Sequence, residues 1–223
     1  MWFYHLANTL LRVLFKILLD CQVSGLEKIP LEGPLIVATN HTSFLDPLLV
    51  GVFVPREVIM MSKVENFEKP VLSLIVRLYG AFPVRRGEVD RRALREAIQV
   101  LREGKALLMA PEGTRSKTGL LQKGRDGTAF VAARTKAVVV PMAIWGGKKF
   151  WSNLARLKRT KIGINVGAPF MLATEKGKPG REELQQMTRE SMYRIAALLP
   201  SELRGYYSDL GQASDRYIIP YEA

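Results

Sequence analysis

Only one cysteine, Cys21, occurs in the 223 residues, so no intramolecular disulfide can close and no cysteine-rich zinc site exists. Cys21 reads as a small packed residue rather than a nucleophile. Histidine is nearly as scarce, with His5 and His41 alone. The chain has no Gly-x4-Gly-Lys-Ser/Thr phosphate loop and no Gly-x-Gly-x-x-Gly fingerprint, which disfavours nucleotide-driven chemistry. It has no Gly-x-Ser-x-Gly elbow either, which argues against a serine acyl-enzyme. Acidic residues are few, 21 against 33 lysines and arginines, and the net charge of +12 calls for an anionic partner: nucleic acid, an anionic membrane surface or a phosphorylated substrate. Charge alone does not choose among them.

What is present is ordinary globular material. A composition 48% hydrophobic and 24% charged, at this length, suits one domain with a sizeable core and argues against disorder and repeats. Short β-rich apolar runs near 22–26, 35–39, 57–61, 81–84, 105–109, 137–144 and 162–166 alternate with helical patterns at 48–55, 70–79, 90–103, 126–135 and 182–199. That alternation predicts an α/β single-domain sandwich around a central mixed, largely parallel sheet flanked by helices. The expected organisation is an N-terminal helix over 1–20, a catalytic domain over 21–205, and a polar, loosely packed tail over 206–223.

The chain is organised around Asn40-His41-Thr42-Ser43-Phe44-Leu45-Asp46-Pro47. The run Leu35–Thr39 reads as a buried strand that delivers His41 to its carboxyl end, where α/β sheets keep their chemistry. Asp46-Pro47 reads as a helix start, with the carboxylate accepting from first-turn amides and proline at the first helical position. An imidazole is suited to general-base catalysis near neutral pH, and a carboxylate on its second nitrogen fixes the tautomer and stabilises the imidazolium. A loop histidine beside a helix cap fits this spacing equally well, so the rest of the chain must decide.

Two further strand ends carry polar clusters, Arg85-Arg86-Gly87 and Glu112-Gly113-Thr114-Arg115. A guanidinium matches phosphate bidentately, and a glycine turn exposes amides beside it, so Arg85, Arg86, Glu112, Gly113, Thr114 and Arg115 form a candidate phosphate cradle. Taken singly, each is equally a tight turn or a solvated strand end.

As an ordered set, these blocks resemble the glycerophospholipid acyltransferase family over about Gly25 to Gly146. Asn40 to Asp46 is similar to that family's catalytic His-x4-Asp, Gly80 to Gly87 to its phosphate-binding arginine block, and Pro111 to Ser116 to its glutamate-glycine signature. Val138 to Ala143 resembles its proline-containing core strand. The resemblance implies direct acyl transfer from an acyl-CoA or acyl carrier protein thioester to the hydroxyl of a lysophosphatidate or a related acceptor. His41 would be the base and Asp46 its partner, with no metal or cofactor and no nucleic-acid partner.

The first 19 residues are mostly apolar, while His5, Asn8, Thr9, Arg12 and Lys16 fall on one narrow stripe of a helix. Two cations within the apolar region argue against a signal peptide and a spanning helix, and for one that lies in an anionic bilayer interface. Trp2, Phe3, Arg12 and Lys16 are the expected contacts, and a helix packed on the domain is the competing reading. Trp145, Lys148, Lys149, Phe150 and Trp151 belong to a basic aromatic stretch, extending to Lys161, that reads as a second membrane-facing patch. The same stretch also suits nucleic acid or a solvated loop. The expected location is monotopic, on the cytoplasmic face of the membrane.

Overall fold

The computed structural model describes residues 2–85, 87, 89–174 and 179–222. Arg86, one of the expected phosphate ligands, therefore lies outside the described residues. Helix α1 (Trp2–Leu18) runs directly into β1 (Leu19–Ser24), followed by β2 (Leu35–Thr39), α2 (Asp46–Phe53), β3 (Val58–Lys63), α3 (Pro70–Leu78), β4 (Phe82–Val84), α4 (Arg91–Arg102) and β5 (Ala106–Met109). The second half comprises α5 (Gly127–Thr135), β6 (Val138–Trp145), α6 (Phe150–Leu154), β7 (Thr160–Val166), β8 (Phe170–Leu172), α7 (Arg181–Leu198) and β9 (Ile218–Pro220).

The strands form a mixed, mostly parallel sheet in the order β1-β7-β6-β2-β5-β3-β4, with β8 paired to β6 and β9 to β8. Every pairing on the main path is parallel except β6 with β7; β8 is antiparallel to both β6 and β9. Each central strand is apolar on both sides. In β2, Leu35 and Val37 enter one core while Ile36 and Ala38 enter the other; in β5, Ala106 and Leu108 oppose Leu107 and Met109 in the same way. Period-two alternation of two apolar sets is what a sheet covered on both faces requires. Helices α1 and α2 cover one face, and α4, α5 and α7 cover the other.

Two of the three strand prolines, Pro83 and Pro141, sit where donors are dispensable, and the third, Pro220, ends β9. Pro83 lies in β4, the edge strand, and Pro141 lies between the Val139↔Phe170 and Met142↔Val166 pairs, where the outer partner of β6 changes from β8 to β7. There its carbonyl accepts from Gly167 N at 2.9 Å.

The expectation of a loosely packed tail is overturned. Tyr207, Tyr217 and Ile218 are buried in the core, and β9 extends the sheet. The anchor is Glu190 on α7, itself buried, whose carboxylate accepts from Ser214 Oγ (2.7 Å), Arg216 N (3.1 Å) and Tyr217 N (2.9 Å). A buried acid with several donors is held in place by them, and it holds the tail in turn.

Candidate active site

The carboxyl ends of β2, β3, β4 and β5 open on one cleft of about 1720 Å³, closed on its other sides by α4, α5, α7 and Tyr206 and Tyr207 of the tail. That is the place where parallel strands bring loop residues together. The volume exceeds the usual range of about 300–1,000 Å³ for a small-molecule site, so there is room for two substrates. His41, Asp46, Arg85 and Gly113 line it, as do the apolar side chains of Met61, Val84, Leu94, Ile98, Met109 and Phe130.

The backbone of His41 is clamped on both sides. Its N–H donates to Glu112 Oε1 at 2.7 Å, and its carbonyl accepts from Ser116 N at 2.7 Å. One residue upstream, Asn40 exchanges two hydrogen bonds of 2.8 Å with the backbone of Ile144 on β6. The strand end that carries the imidazole is thus tied to both neighbouring strand ends.

The ring is fixed as well. His41 Nδ1 lies 2.9 Å from Asp46 Oδ2, and the same oxygen accepts from Thr42 N at 2.7 Å and Ser43 N at 2.8 Å. This corrects one expectation. Asp46 is the first residue of α2, and its carboxylate reaches back to amides that precede the helix rather than capping the first turn. The backward bonds bend residues 41–46 into a loop that keeps the carboxylate against the ring. With Nδ1 occupied, Nε2 is the ring nitrogen left for chemistry.

Glu112 is likewise not free to meet a phosphate. It is buried, Oε1 holds His41 N, and Oε2 accepts from Gln122 N (2.9 Å) and Gln122 Nε2 (3.2 Å). Burial pushes its pKa up, and the hydrogen bonds to His41 and Gln122 only partly offset that. Its role in the geometry is to position His41.

Gly113 adopts φ +73°, which favours glycine, and a Cβ there would come within 2.9 Å of Arg125 Cδ and press on that side chain. Thr114 and Arg115 follow on the same loop and are not among the cleft-lining residues. In their stead the cleft receives Lys123 and Arg125, which sequence reasoning passed over. Their backbone is pinned at Gln122 by Glu112, at Gly124 by the Tyr207 hydroxyl (3.0 Å) and at Arg125 by the Pro111 carbonyl (2.8 Å). The only sequence signal was a Lys-Gly-Arg cluster shortly before a helix. Arg85 is placed by Asp90, which accepts from Arg85 N (2.9 Å) and caps α4 through Arg92 N and Ala93 N (3.0 Å each). The Arg85 hydrogen bond is the chief reason that the Asp90 carboxyl is held below its ordinary pKa.

The expected membrane contacts divide. Trp2 is exposed, and so is Arg12, whose guanidinium donates to Val52 O at the end of α2 (3.0 Å). Phe150 is buried against Phe44 and Trp151, and Trp145 lies across Gly163, so neither faces out. Lys148 donates to Lys117 O (2.6 Å). Trp151 remains exposed, and Lys16 and Lys149 are exposed too. Among the described residues, no helix is long and apolar enough to cross a membrane, and no group of three potential metal ligands occurs.

A family model described as Acyltransferase matches residues 20–145. The chain is 26% identical over 196 residues to the 1-acyl-sn-glycerol-3-phosphate acyltransferase of Bacillus subtilis, covering 87% of this chain and 96% of that one. It is 32% identical over 132 residues to the chloroplastic 1-acyl-sn-glycerol-3-phosphate acyltransferase of Arabidopsis thaliana, which is 57% of this chain and 36% of the longer plant protein. The crystal structure of the 1-acyl-sn-glycerophosphate acyltransferase PlsC from Thermotoga maritima superposes with a TM-score of 0.67 at 25% identity, covering 95% of this chain and 80% of that one.

Proposed function

This chain belongs to the acyltransferase family, and on that premise we propose that it moves a fatty acyl group from a thioester to the sn-2 hydroxyl of a lysophosphatidate, giving phosphatidate. The observation that carries the reading is the His41 ring, held on one nitrogen by Asp46 and open on the other to a cleft that is apolar at one part and cationic at another. A binding module has no use for an imidazole anchored in this way.

His41 Nε2 takes the proton of the acceptor hydroxyl as that oxygen attacks the thioester carbonyl. Asp46 faces the imidazolium so formed. The tetrahedral intermediate collapses with cleavage of the C–S bond, and the imidazolium returns its proton to the leaving thiolate. The products are the ester and a free thiol, and no acyl-enzyme intervenes. Met61, Val84, Leu94, Ile98 and Phe130 suit an acyl chain. Arg85, Lys123 and Arg125, which line the cleft, suit the acceptor phosphate. Acyl-CoA and acyl carrier protein both meet the requirement for a donor. Helix α1 holds the protein to an anionic bilayer, as a monotopic attachment on the cytoplasmic face.

Purified protein assayed for thiol release with lysophosphatidate, glycerol 3-phosphate and a phosphate-free lysolipid, each with both donor types, tests the reading. Lysophosphatidate is expected to be the preferred acceptor. His41→Ala should lower turnover by about 10²- to 10⁴-fold while thermal unfolding stays near that of the parent. A folded His41→Ala protein with parental turnover would overturn the assignment.

A further inference from the structure

Helix α3 is built like a core helix but covers nothing. None of its side chains is buried, and Val71, Leu74, Ile75 and Leu78 are 75%, 60%, 46% and 38% exposed. Their spacing at i, i+3, i+4 and i+7 places them on one face, the pattern that normally faces a core. Leu72 and Val76, on the opposite side, are the half-buried ones.

Helix α1 repeats the arrangement. Trp2, Leu6, Leu10, Val13, Leu14 and Ile17 are exposed along one side, while Tyr4, Asn8 and Phe15 dock the other side on the domain. The two helices are coupled at Tyr79, the residue that ends α3. Its hydroxyl donates to Asn8 Oδ1 at 2.6 Å, and its ring lies 4.7 Å from that of Tyr4. Ten large apolar side chains on two joined helices exceed the scattered exposure normal for a soluble surface.

We propose that α3 is a second membrane-inserting element, lying with α1 in the interfacial layer of an anionic bilayer. Neither helix contains an acidic residue, and exposed cations border both apolar faces: Lys16 on α1, and Lys69 and Arg77 at α3. Glu65 and Glu68 lie in the segment before α3, and Glu65 is paired with Lys63 at 3.1 Å. A second copy of the chain would bring like-charged borders together, whereas anionic headgroups accept them. The position of α3 gives insertion a consequence. It forms the crossover from β3 to β4, whose residues Met61 and Val84 line the cleft, with Arg85 just beyond. Seating α3 in lipid therefore fixes the β3–β4 edge of the cleft at the bilayer.

Lipid binding is measured without turnover, so this inference and the acyl-transfer reading fail separately. The full chain is sedimented with vesicles of phosphatidylglycerol and phosphatidylcholine, beside a Val71→Glu/Leu74→Glu variant. The expected result is a loss of vesicle affinity of roughly tenfold or more, with parental circular dichroism and parental turnover of a short-chain, water-soluble acceptor. Should that variant misfold, a polarity-sensitive dye on Leu74→Cys in a Cys21→Ser background reads the same contact, and a blue shift on adding vesicles is expected. Parental vesicle affinity in the folded double variant would overturn the proposal. So would a dye that does not respond to lipid, or light scattering that shows a dimer broken by the same substitutions.

Discussion

Replacing Asp46 by asparagine separates what the carboxylate does for the loop from what it does for the chemistry. All three donors, His41 Nδ1, Thr42 N and Ser43 N, meet Oδ2, at 2.9, 2.7 and 2.8 Å. An asparagine with its carbonyl oxygen at the Oδ2 position keeps all three bonds, each weakened from charge-assisted to neutral. Its nitrogen then occupies the place of Oδ1, which is buried and has no partner among the described residues. Unsatisfied donors there cost about 1–3 kcal/mol, and removal of a buried charge offsets part of that. The fold should therefore survive. The imidazolium formed during proton transfer, however, loses its counter-charge. At about 4 Å and an effective dielectric constant of about 20, that interaction is about 4 kcal/mol, or close to three orders of magnitude in rate. Asp46→Asn should lower kcat by about 10²- to 10³-fold with little change in either KM, read by thiol release alongside thermal unfolding. In a His41→Ala background the same substitution should cost nothing further, because the two residues act as a unit. Turnover within about threefold of the parent, or a full additional loss in the double variant, would refute the reasoning.

Glu112→Gln tests the second anchor. The carboxamide can keep either His41 N or the Gln122 amide but not both, because one of its ends is now a donor, and the mismatch costs about 1–3 kcal/mol. Turnover should fall more than stability does, since the loosened backbone is that of the base. Burial raises the folded pKa of Glu112 above its unfolded value, so its contribution favours the fold below the unfolded value and is lost as pH rises through the folded one. Chemical denaturation across the pH range between those two values should show this decline in the parent and a flatter profile in Glu112→Gln. Arg125→Ala and Arg85→Ala should each raise the KM for lysophosphatidate by about ten- to a hundredfold, the equivalent of about 1.5–3 kcal/mol, and leave the KM for a phosphate-free acceptor near parental. An equal penalty on both acceptors would remove these arginines from the phosphate site.

The fold was legible because its signals are local. Leu35–Thr39 is apolar at every position and ends at a polar turn, and the central strands and larger helices follow from runs of that kind within a residue or two at each end. Strands β8 and β9 and helix α6 carry no such signal. They are three to five residues long and owe their conformation to partners far away in the chain: Phe170 to Val139, and Ile218 to Leu172. Glu190 shows why the tail was misread. Nothing within the polar segment 206–223 marks it as ordered, since the acid that satisfies its amides stands on α7.

The site divides along the same line. The contact between His41 and Asp46 is legible in sequence because it lies within one short loop, yet the Asp46 bonds run upstream rather than into the first turn of the helix. A carboxylate at the first turn of a helix has amides on both sides within reach, and sequence does not say which set it takes. Here the upstream set wins because the imidazole lies on that side, so one oxygen serves ring and loop together. Glu112 was assigned to phosphate by its neighbours in the motif, but a buried carboxylate is a poor partner for an anion and a good one for two backbone amides. Two of the cations that line the cleft, Lys123 and Arg125, are delivered by a segment that Glu112 itself pins through Gln122. The acid acts on the Lys123 and Arg125 wall of the cleft through the backbone it holds, and on the proposed base through the N–H of His41. One buried carboxylate thereby sets the spacing between the base and the cationic wall. Altering it should disturb both substrate placement and proton transfer, whereas altering Asp46 should disturb proton transfer alone.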